Sequence, residues 1–231
     1  ATGLFNVQQF NELTILSGSG LGGSSLINAS VAIRPDFEVF AQPVWPACLR
    51  NRHALESYFS LAEYELAARA EPTGWSNKMI ASRQAGERLS CRGANWQQAL
   101  LTVTRTGTQP AVAPPIFNRQ GVRQRGCIDC GDCLSGCNVG AKNTLAMNYL
   151  AAAKTAGVEM YTGVEIQCIA KLNGYYQIHY LHHIEQPDGS PHSIPGYTTA
   201  RMVVLGAGSL GSTEILLRSQ QYGMAFSRKL G

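Results

Sequence analysis

Near the start of the chain, an apolar run leads into a cluster of glycines. Residues 13–17 predict a short strand, which leads directly into the loop Gly18-Ser-Gly-Leu-Gly-Gly23. Residues 24–33 then predict a helix or a closely packed extended segment, which Pro35 ends. The order of strand, glycine loop and following element is typical of a turn at which the backbone approaches a phosphate group.

The next pattern is helical. Residues 53–70 carry apolar side chains at helical spacing with charges between them, which predicts an amphipathic helix. Residues 71–125 contain several prolines and predict one helix at about 77–90 and one strand near 99–104. A stretch of this kind is typical of an irregular cap or lid.

Beyond the middle of the chain, helix and strand patterns alternate. Residues 144–156 predict a helix that stops at Gly157, with Asn143 as its cap and Lys142 reaching a neighbouring acidic group. Strands are predicted after this helix, with Asn173-Gly174 and Asp188-Gly189 as hairpin turns, at residues 158–162, 164–172, 175–183 and 197–205.

A second glycine loop follows the last of these strands. Residues 202–205 are apolar enough for a buried parallel strand, Gly206-Ala-Gly-Ser-Leu-Gly211 comes next, and residues 210–219 predict a helix. Neither loop is a clean nicotinamide fingerprint. The first is followed by Asp36 and Glu38 in a proline-broken segment, and the second has no acidic residue about 20 positions on before residue 231. Together the loops predict a dinucleotide fold without its opening unit.

Composition narrows the class of protein. With 231 residues, of which 45% are hydrophobic, the chain is long enough for a substantial core. Its net charge of +4 is small and the basic residues are scattered, which argues against a nucleic-acid partner. No apolar stretch approaches the ~20 residues of a membrane span, so a soluble protein is expected.

Four of the seven cysteines fall close together, at Cys127, Cys130, Cys133 and Cys137. This spacing resembles a metal-ligand or redox motif more than a disulfide framework, which favours a reducing, cytoplasmic location. An iron–sulfur cluster is one interpretation, a zinc site is a second, and packed thiols without metal are a third. An iron–sulfur electron-transfer module is therefore an alternative function. The isolated cysteines are expected to be small buried hydrophobes: Cys48, Cys91 and Cys168.

Four blocks of the sequence resemble one known family. The blocks are Gly20-Leu-Gly-Gly-Ser-Ser-Leu-Ile-Asn28 with Arg34-Pro35, the cysteine segment through Lys142-Asn-Thr144, Asn148-Tyr-Leu150, and residues 208–219. They resemble the glucose-methanol-choline (GMC) oxidoreductases, and most of all their bacterial cholesterol-oxidase-like branch. The resemblance spans nearly the whole chain and is weak across residues 71–125.

The resemblance implies an α/β fold of mixed α+β character, as part of an FAD-binding Rossmann-like domain with an inserted cap. Residues 1–40 and 140–231 would be parts of the discontinuous FAD domain. Residues 41–139 would be the cap or substrate-side insertion, ending in the cysteines. The N-terminal Rossmann unit and the C-terminal catalytic block of the family have no counterpart here, which implies an internal fragment that does not turn over substrate by itself.

The resemblance also nominates cofactor contacts. Gly22, Gly23, Ser24 and Asn28 match the segment that passes along the flavin and the pyrophosphate, where small residues permit close backbone approach. A strand bordering the adenine and a turn near the adenosine or ribose implicate a further three residues: Ile166, Ala207 and Gly208. The family's catalytic histidine lies beyond residue 231, so no catalytic residue is assigned. The histidines present are expected to be surface or capping groups: His53, His179, His182, His183 and His192.

The implied function is FAD-dependent oxidation of an alcohol, with hydride transfer to the flavin and a sterol or another bulky apolar alcohol as substrate. Oxygen, a quinone or a redox protein would accept the electrons.

Overall fold

The structure is a computed structural model that describes residues 3–51, 53–70, 76–90, 96–106 and 113–231. It confirms the mixed α/β class. Two compact units divide the chain, Ala1–Glu159 and Met160–Gly231. Throughout the described residues, every pair of hydrogen-bonded strands runs antiparallel.

In the part of the first unit that the structure describes, the sheets are three two-stranded ribbons. Strand β1 (Phe5–Gln9) pairs with β2 (Thr14–Gly18), which confirms the strand predicted at 13–17. The other ribbons are β3 (Val31–Ala32) with β4 (Leu100–Leu101), and β5 (Ile116–Phe117) with β6 (Arg123–Gln124). The glycine loop after β2 continues into a 3₁₀ turn at Gly23–Leu26, where a helix or extended segment was predicted.

Four α-helices belong to this unit within its described residues: α1 (Phe37–Ala41), α2 (Glu56–Glu65), α3 (Asn77–Ser90) and α4 (Tyr149–Thr155). Helix α2 confirms the centre of the predicted 53–70 helix, and α3 confirms the helix at about 77–90. Helix α2 ends early because Ala67 has a left-handed φ of 49°, which helical backbone does not permit. No helix among the described residues combines the length and apolar character needed to cross a bilayer.

The second unit is a three-stranded meander with one helix packed on it. Strands β7 (Val164–Leu172), β8 (Tyr175–Glu185) and β9 (Pro191–Ala200) lie in that order. The predicted Asn173-Gly174 turn joins β7 to β8 with φ of 42° and 86°. Helix α5 (Gly208–Gln220) buries Ile215 and Ser219, and β7 buries Cys168 to Ala170. These residues form the unit's core.

Two predicted strands are absent. Residues 158–162 form no strand, and the buried parallel strand at 202–205 is wrong because Met202 is 80% and Val204 88% exposed. The turn at Asp188-Gly189 pairs Glu185 with Pro191, so β9 begins earlier than predicted and reaches the start of β8 at Ala200. Residues past 200 then run beyond the end of the ladder, where the described residues offer no strand to pair with.

Candidate cofactor site

The glycine segment, residues 18–28, begins with a turn that leaves no room for a side chain. A Cβ added at Gly18 would overlap the carbonyl oxygen of Gly23 and lie 2.8 Å from its carbonyl carbon and 2.9 Å from the Cα of Ser24. Gly20, Gly22 and Gly23 have φ of 143°, 105° and 55°. These backbone conformations favour glycine, so the segment presents bare backbone rather than side chains.

Side chains fix the shape of the glycine segment at two places. The Ser24 Oγ accepts from the Gly18 N–H at 3.2 Å, which closes the turn. The Ser25 Oγ donates to the Gly22 carbonyl at 2.7 Å and accepts from the Leu145 N–H at 3.1 Å. The second pair ties the segment to a part of the chain 120 residues away. The predicted contacts Gly22, Gly23 and Ser24 therefore lie together in one anchored turn.

Asn28 ends the segment, and the N–H groups of its side-chain amide are available to a ligand. Its Oδ1 accepts from the Ser30 N–H at 3.1 Å, and Ser30 is buried with a φ of 60°. Asn28 itself is exposed, and within the described part of the chain its Nδ2 has no hydrogen-bond partner. Two amide N–H donors beside bare glycine backbone suit an anionic or carbonyl-bearing ligand.

Lys142 lies behind the segment and not at an acidic group, so the sequence-based expectation is wrong. The residue is 2% exposed. Its Nζ donates to the carbonyl oxygens of Leu26 at 2.9 Å, Asn28 at 2.8 Å and Cys133 at 2.8 Å. Burial lowers the pKa of Lys142, and nearby Cys133 and Cys137 oppose that effect. An acidic partner was expected near Lys142 in the sequence, but folding instead brings the carbonyls of Leu26 and Asn28, more than 100 residues away, to its Nζ.

Asn143 does not cap a helix either. Its Oδ1 accepts from the Thr104 Oγ1 at 3.1 Å and the Gln124 Nε2 at 2.9 Å, while its Nδ2 donates to the Leu66 carbonyl at 3.1 Å. The cap is Asn148, whose Oδ1 accepts from the Tyr149 N–H at 2.7 Å. The predicted 144–156 helix is thereby split into a 3₁₀ turn and α4.

Two of the cavities formed by the described residues of the first unit are large. One, of about 660 Å³, lies against the polar network around Asn143 and Gln124. The other, of about 730 Å³, has a mixed lining: Phe37, Phe40 and Phe59 contribute apolar surface, and charged and amide side chains such as Glu56 and Gln98 contribute polar surface. Arg34 also lines the second cavity.

Arg34 belongs to one of the sequence blocks, but sequence reasoning gave it no role. Its Nε and Nη2 donate to the two carboxylate oxygens of Glu63, each at 2.6 Å, and its Nη1 lies 2.5 Å from Glu56. The hydrogen bonds from Arg34 lower the pKa of Glu63. The paired charges hold the segment before α1 onto α2.

The four clustered cysteines form the cysteine loop, residues 127–137, and all line one small cavity of about 20 Å³. Cys130 is exposed and the other three are half-buried. Burial raises the pKa of the Cys127 thiol. Burial acts in the same sense on Cys137, but backbone N–H groups of residues 139–142 outweigh it and lower that pKa.

The geometry of the loop does not support the predicted metal. Among the described residues, no three histidine, cysteine, aspartate or glutamate side chains are placed to hold a metal ion. The Cys127 Sγ instead lies 3.8 Å from Asp129, which pairs with Arg105 at 2.8 Å. Neither the iron–sulfur cluster nor the zinc site therefore gains support. Of the isolated cysteines, Cys168 is buried as predicted, Cys48 is exposed, and Cys91 lies outside the described residues.

The remaining nominated contacts lie in the second unit. Ala207 and Gly208 begin α5, where both are exposed and no side chain caps the helix. Ile166 is half-buried in β7 at a bulge, and its carbonyl accepts from the Arg218 Nη2 at 3.2 Å. Arg218 is ten residues after Gly208, about 15 Å along the helix axis. The structure thus places Ile166 beside the end of α5 opposite Gly208.

The histidines lie away from the glycine segment in sequence, and most are exposed. His53, His182, His183 and His192 are exposed, as expected of surface groups. His183 donates to or accepts from the Ser193 Oγ at 2.8 Å and pairs with Glu165 at 2.9 Å across β7 and β8. His179 is half-buried and stacks on Tyr222 with ring centroids 5.6 Å apart.

The fold and the glycine segment define a mixed α/β protein with a tight turn that presents bare backbone. Residues 2–224 match the GMC oxidoreductase family. The chain belongs to this family of FAD-binding oxidoreductases, which confirms the resemblance found in the sequence.

The chain is also similar in sequence to individual cholesterol oxidases. The chain is 28% identical over 239 residues to cholesterol oxidases from two strains of Mycobacterium tuberculosis, an overlap that covers 99% of this chain and 40% of theirs. It is 26% identical over 242 residues to a cholesterol oxidase of Acinetobacter baumannii, with 96% and 40% covered. The chain therefore spans about 40% of the length of the curated relatives it matches.

Proposed function

We propose that the chain is the cofactor-binding part of a longer FAD-dependent enzyme that oxidises a CH–OH group. The observation that carries the proposal is the glycine segment, whose tight turn at Gly18 and free Asn28 amide lie inside the stretch that matches the family. Bound FAD would supply the hydride acceptor. This chain's own residues would hold the cofactor, and the group that takes the alcohol proton would come from elsewhere in the longer protein.

The residues present fit such a cofactor. Bare backbone at Gly22 and Gly23 permits the close approach that a flat ring or a pyrophosphate needs, and a Cβ at Gly22 would lie 3.1 Å from the Ser25 Oγ in a left-handed conformation. The amide of Asn28 adds donors at the end of the same segment. In the second unit, Ile166, Ala207 and Gly208 stay proposed contacts on the adenosine side.

A sterol or another bulky apolar alcohol is the proposed substrate. The relatives are cholesterol oxidases, which supports this class of substrate. The cavity of about 730 Å³ is large enough for such a molecule, and Phe37, Phe40 and Phe59 supply an apolar part of a wall that also carries charged and amide groups. Residues 41–139, which supply part of that wall, are the proposed substrate-side insertion. Oxygen, a quinone or a redox protein is the proposed electron acceptor, and a cytoplasmic location is proposed from the cysteine usage.

The test is an anaerobic visible spectrum of the full-length protein, with released flavin and iron measured on the same sample. We expect about one FAD per chain, bleaching of the flavin when a sterol is added, and no stoichiometric iron. A Cys130→Ser variant serves as control and should keep the flavin spectrum unchanged. A full-length protein that contains iron but no flavin would refute the proposal.

A further inference from the structure

We propose that Lys142 is the positioning residue that holds the glycine segment in the shape required for the flavin cofactor. The inference rests on the proposed function. Lys142 is buried, and its Nζ donates to Leu26 at 2.9 Å, to Asn28 at 2.8 Å and to Cys133 at 2.8 Å. An ammonium has three N–H donors, so these carbonyls use all of them. One side chain therefore joins the glycine segment to the cysteine loop.

The glycine segment needs an external support of this kind. Gly20, Gly22 and Gly23 have positive φ values, and glycine loses more conformational freedom on ordering than any other residue. The Ser25 hydroxyl anchors the middle of the segment, because it donates to the Gly22 carbonyl and accepts from the Leu145 N–H. Lys142 anchors its end, because two of its three acceptors are the carbonyls of Leu26 and Asn28. The two anchors come from neighbouring positions in the chain, residues 142 and 145.

The charge of Lys142 points to a ligand as well. All three acceptors are neutral carbonyls, among the described residues no carboxylate forms an ion pair with Lys142, and the acidic groups near it are the thiols of Cys133 and Cys137. A buried ammonium without a carboxylate is costly unless a negative group lies near it. A positive charge held behind the glycine segment is complementary to an anionic ligand on that segment, such as the pyrophosphate or the reduced flavin of FAD.

The test compares Lys142→Met with wild type in the full-length flavoprotein. We expect the affinity of the apoprotein for FAD to fall roughly tenfold or more, since hydrogen bonds made by a charged group are lost. We also expect the visible circular dichroism of bound flavin to change and the flavin midpoint potential to become more negative, because a positive charge that favours the reduced cofactor is removed. Lys154→Met, at an exposed position in α4, is the matched control and should leave all three unchanged.

Two milder variants separate positioning from folding. Lys142→Arg keeps the charge but spreads its donors over a planar group, so we expect weakened FAD binding with a smaller change in potential. Lys142→Gln removes the charge and keeps a donor. Wild-type FAD affinity, circular dichroism and potential in Lys142→Met would overturn the proposal, and so would failure of all three variants to fold, because Lys142 would then serve the fold alone. A wild-type protein without flavin would instead refute the proposed function, and the inference with it.

Discussion

Replacement of Gly18 by alanine tests the geometry of the glycine segment directly. The new Cβ would overlap the Gly23 carbonyl oxygen and approach the Gly23 carbonyl carbon to 2.8 Å and the Ser24 Cα to 2.9 Å. All three are backbone atoms, so no side-chain rotation can relieve the overlap. The turn must open, and overpacking of this kind costs about 1–3 kcal/mol of unfolding free energy. With an m-value of about 2 kcal/mol/M, the urea midpoint should fall by roughly 0.5–1.5 M.

Tryptophan fluorescence reports this change selectively. All three tryptophans, Trp45, Trp75 and Trp96, lie in the first unit, so their emission follows the unit that contains the turn. Gly3→Ala is the matched control, because a Cβ there meets nothing within 4 Å and the backbone is not left-handed. Its unfolding free energy should stay within about 0.5 kcal/mol of the wild-type value. Equal midpoints for Gly18→Ala and Gly3→Ala would refute the structure of the turn.

Two further predictions concern other parts of the chain. Ser219→Ala removes the hydroxyl that accepts from the Ile169 N–H at 2.8 Å on the free edge of β7, which should cost about 1–3 kcal/mol and speed hydrogen exchange at that amide. Exposed Ser209→Ala should do neither. The Arg34 hydrogen bonds lower the pKa of Glu63 below its usual 4.5, so their stabilisation is present above that pH and is lost as the pH falls through the lowered pKa. Glu63→Gln should therefore lose less stability than wild type on acidification, measured by tryptophan fluorescence in urea, and an identical pH dependence would count against the ion pair.

The sequence predicted the elements whose structure depends on residues close together in the chain. The Asn173-Gly174 turn was predictable because both residues tolerate the left-handed backbone that a tight hairpin needs. Helix α3 was predictable because the favourable interactions of a helix lie within four residues along the chain. The glycine segment was predictable for a similar reason, since only glycine fits its turn. The spacing of the glycines indicated a dinucleotide without saying which one, and the resemblance of the four blocks to the family implied FAD.

Contacts between distant segments decided the rest. The partners of Lys142 lie 116 and 114 residues away at Leu26 and Asn28, so sequence reasoning supplied a nearby acidic group that the structure does not use. Residues 202–205 are apolar like a buried strand, but burial requires a neighbouring strand, and the described residues provide none. The sequence by itself determined which backbone shapes each segment tolerates, because those preferences are local. Only the tertiary structure decided which carbonyl, thiol or strand each segment meets, because those partners are brought together by chain folding.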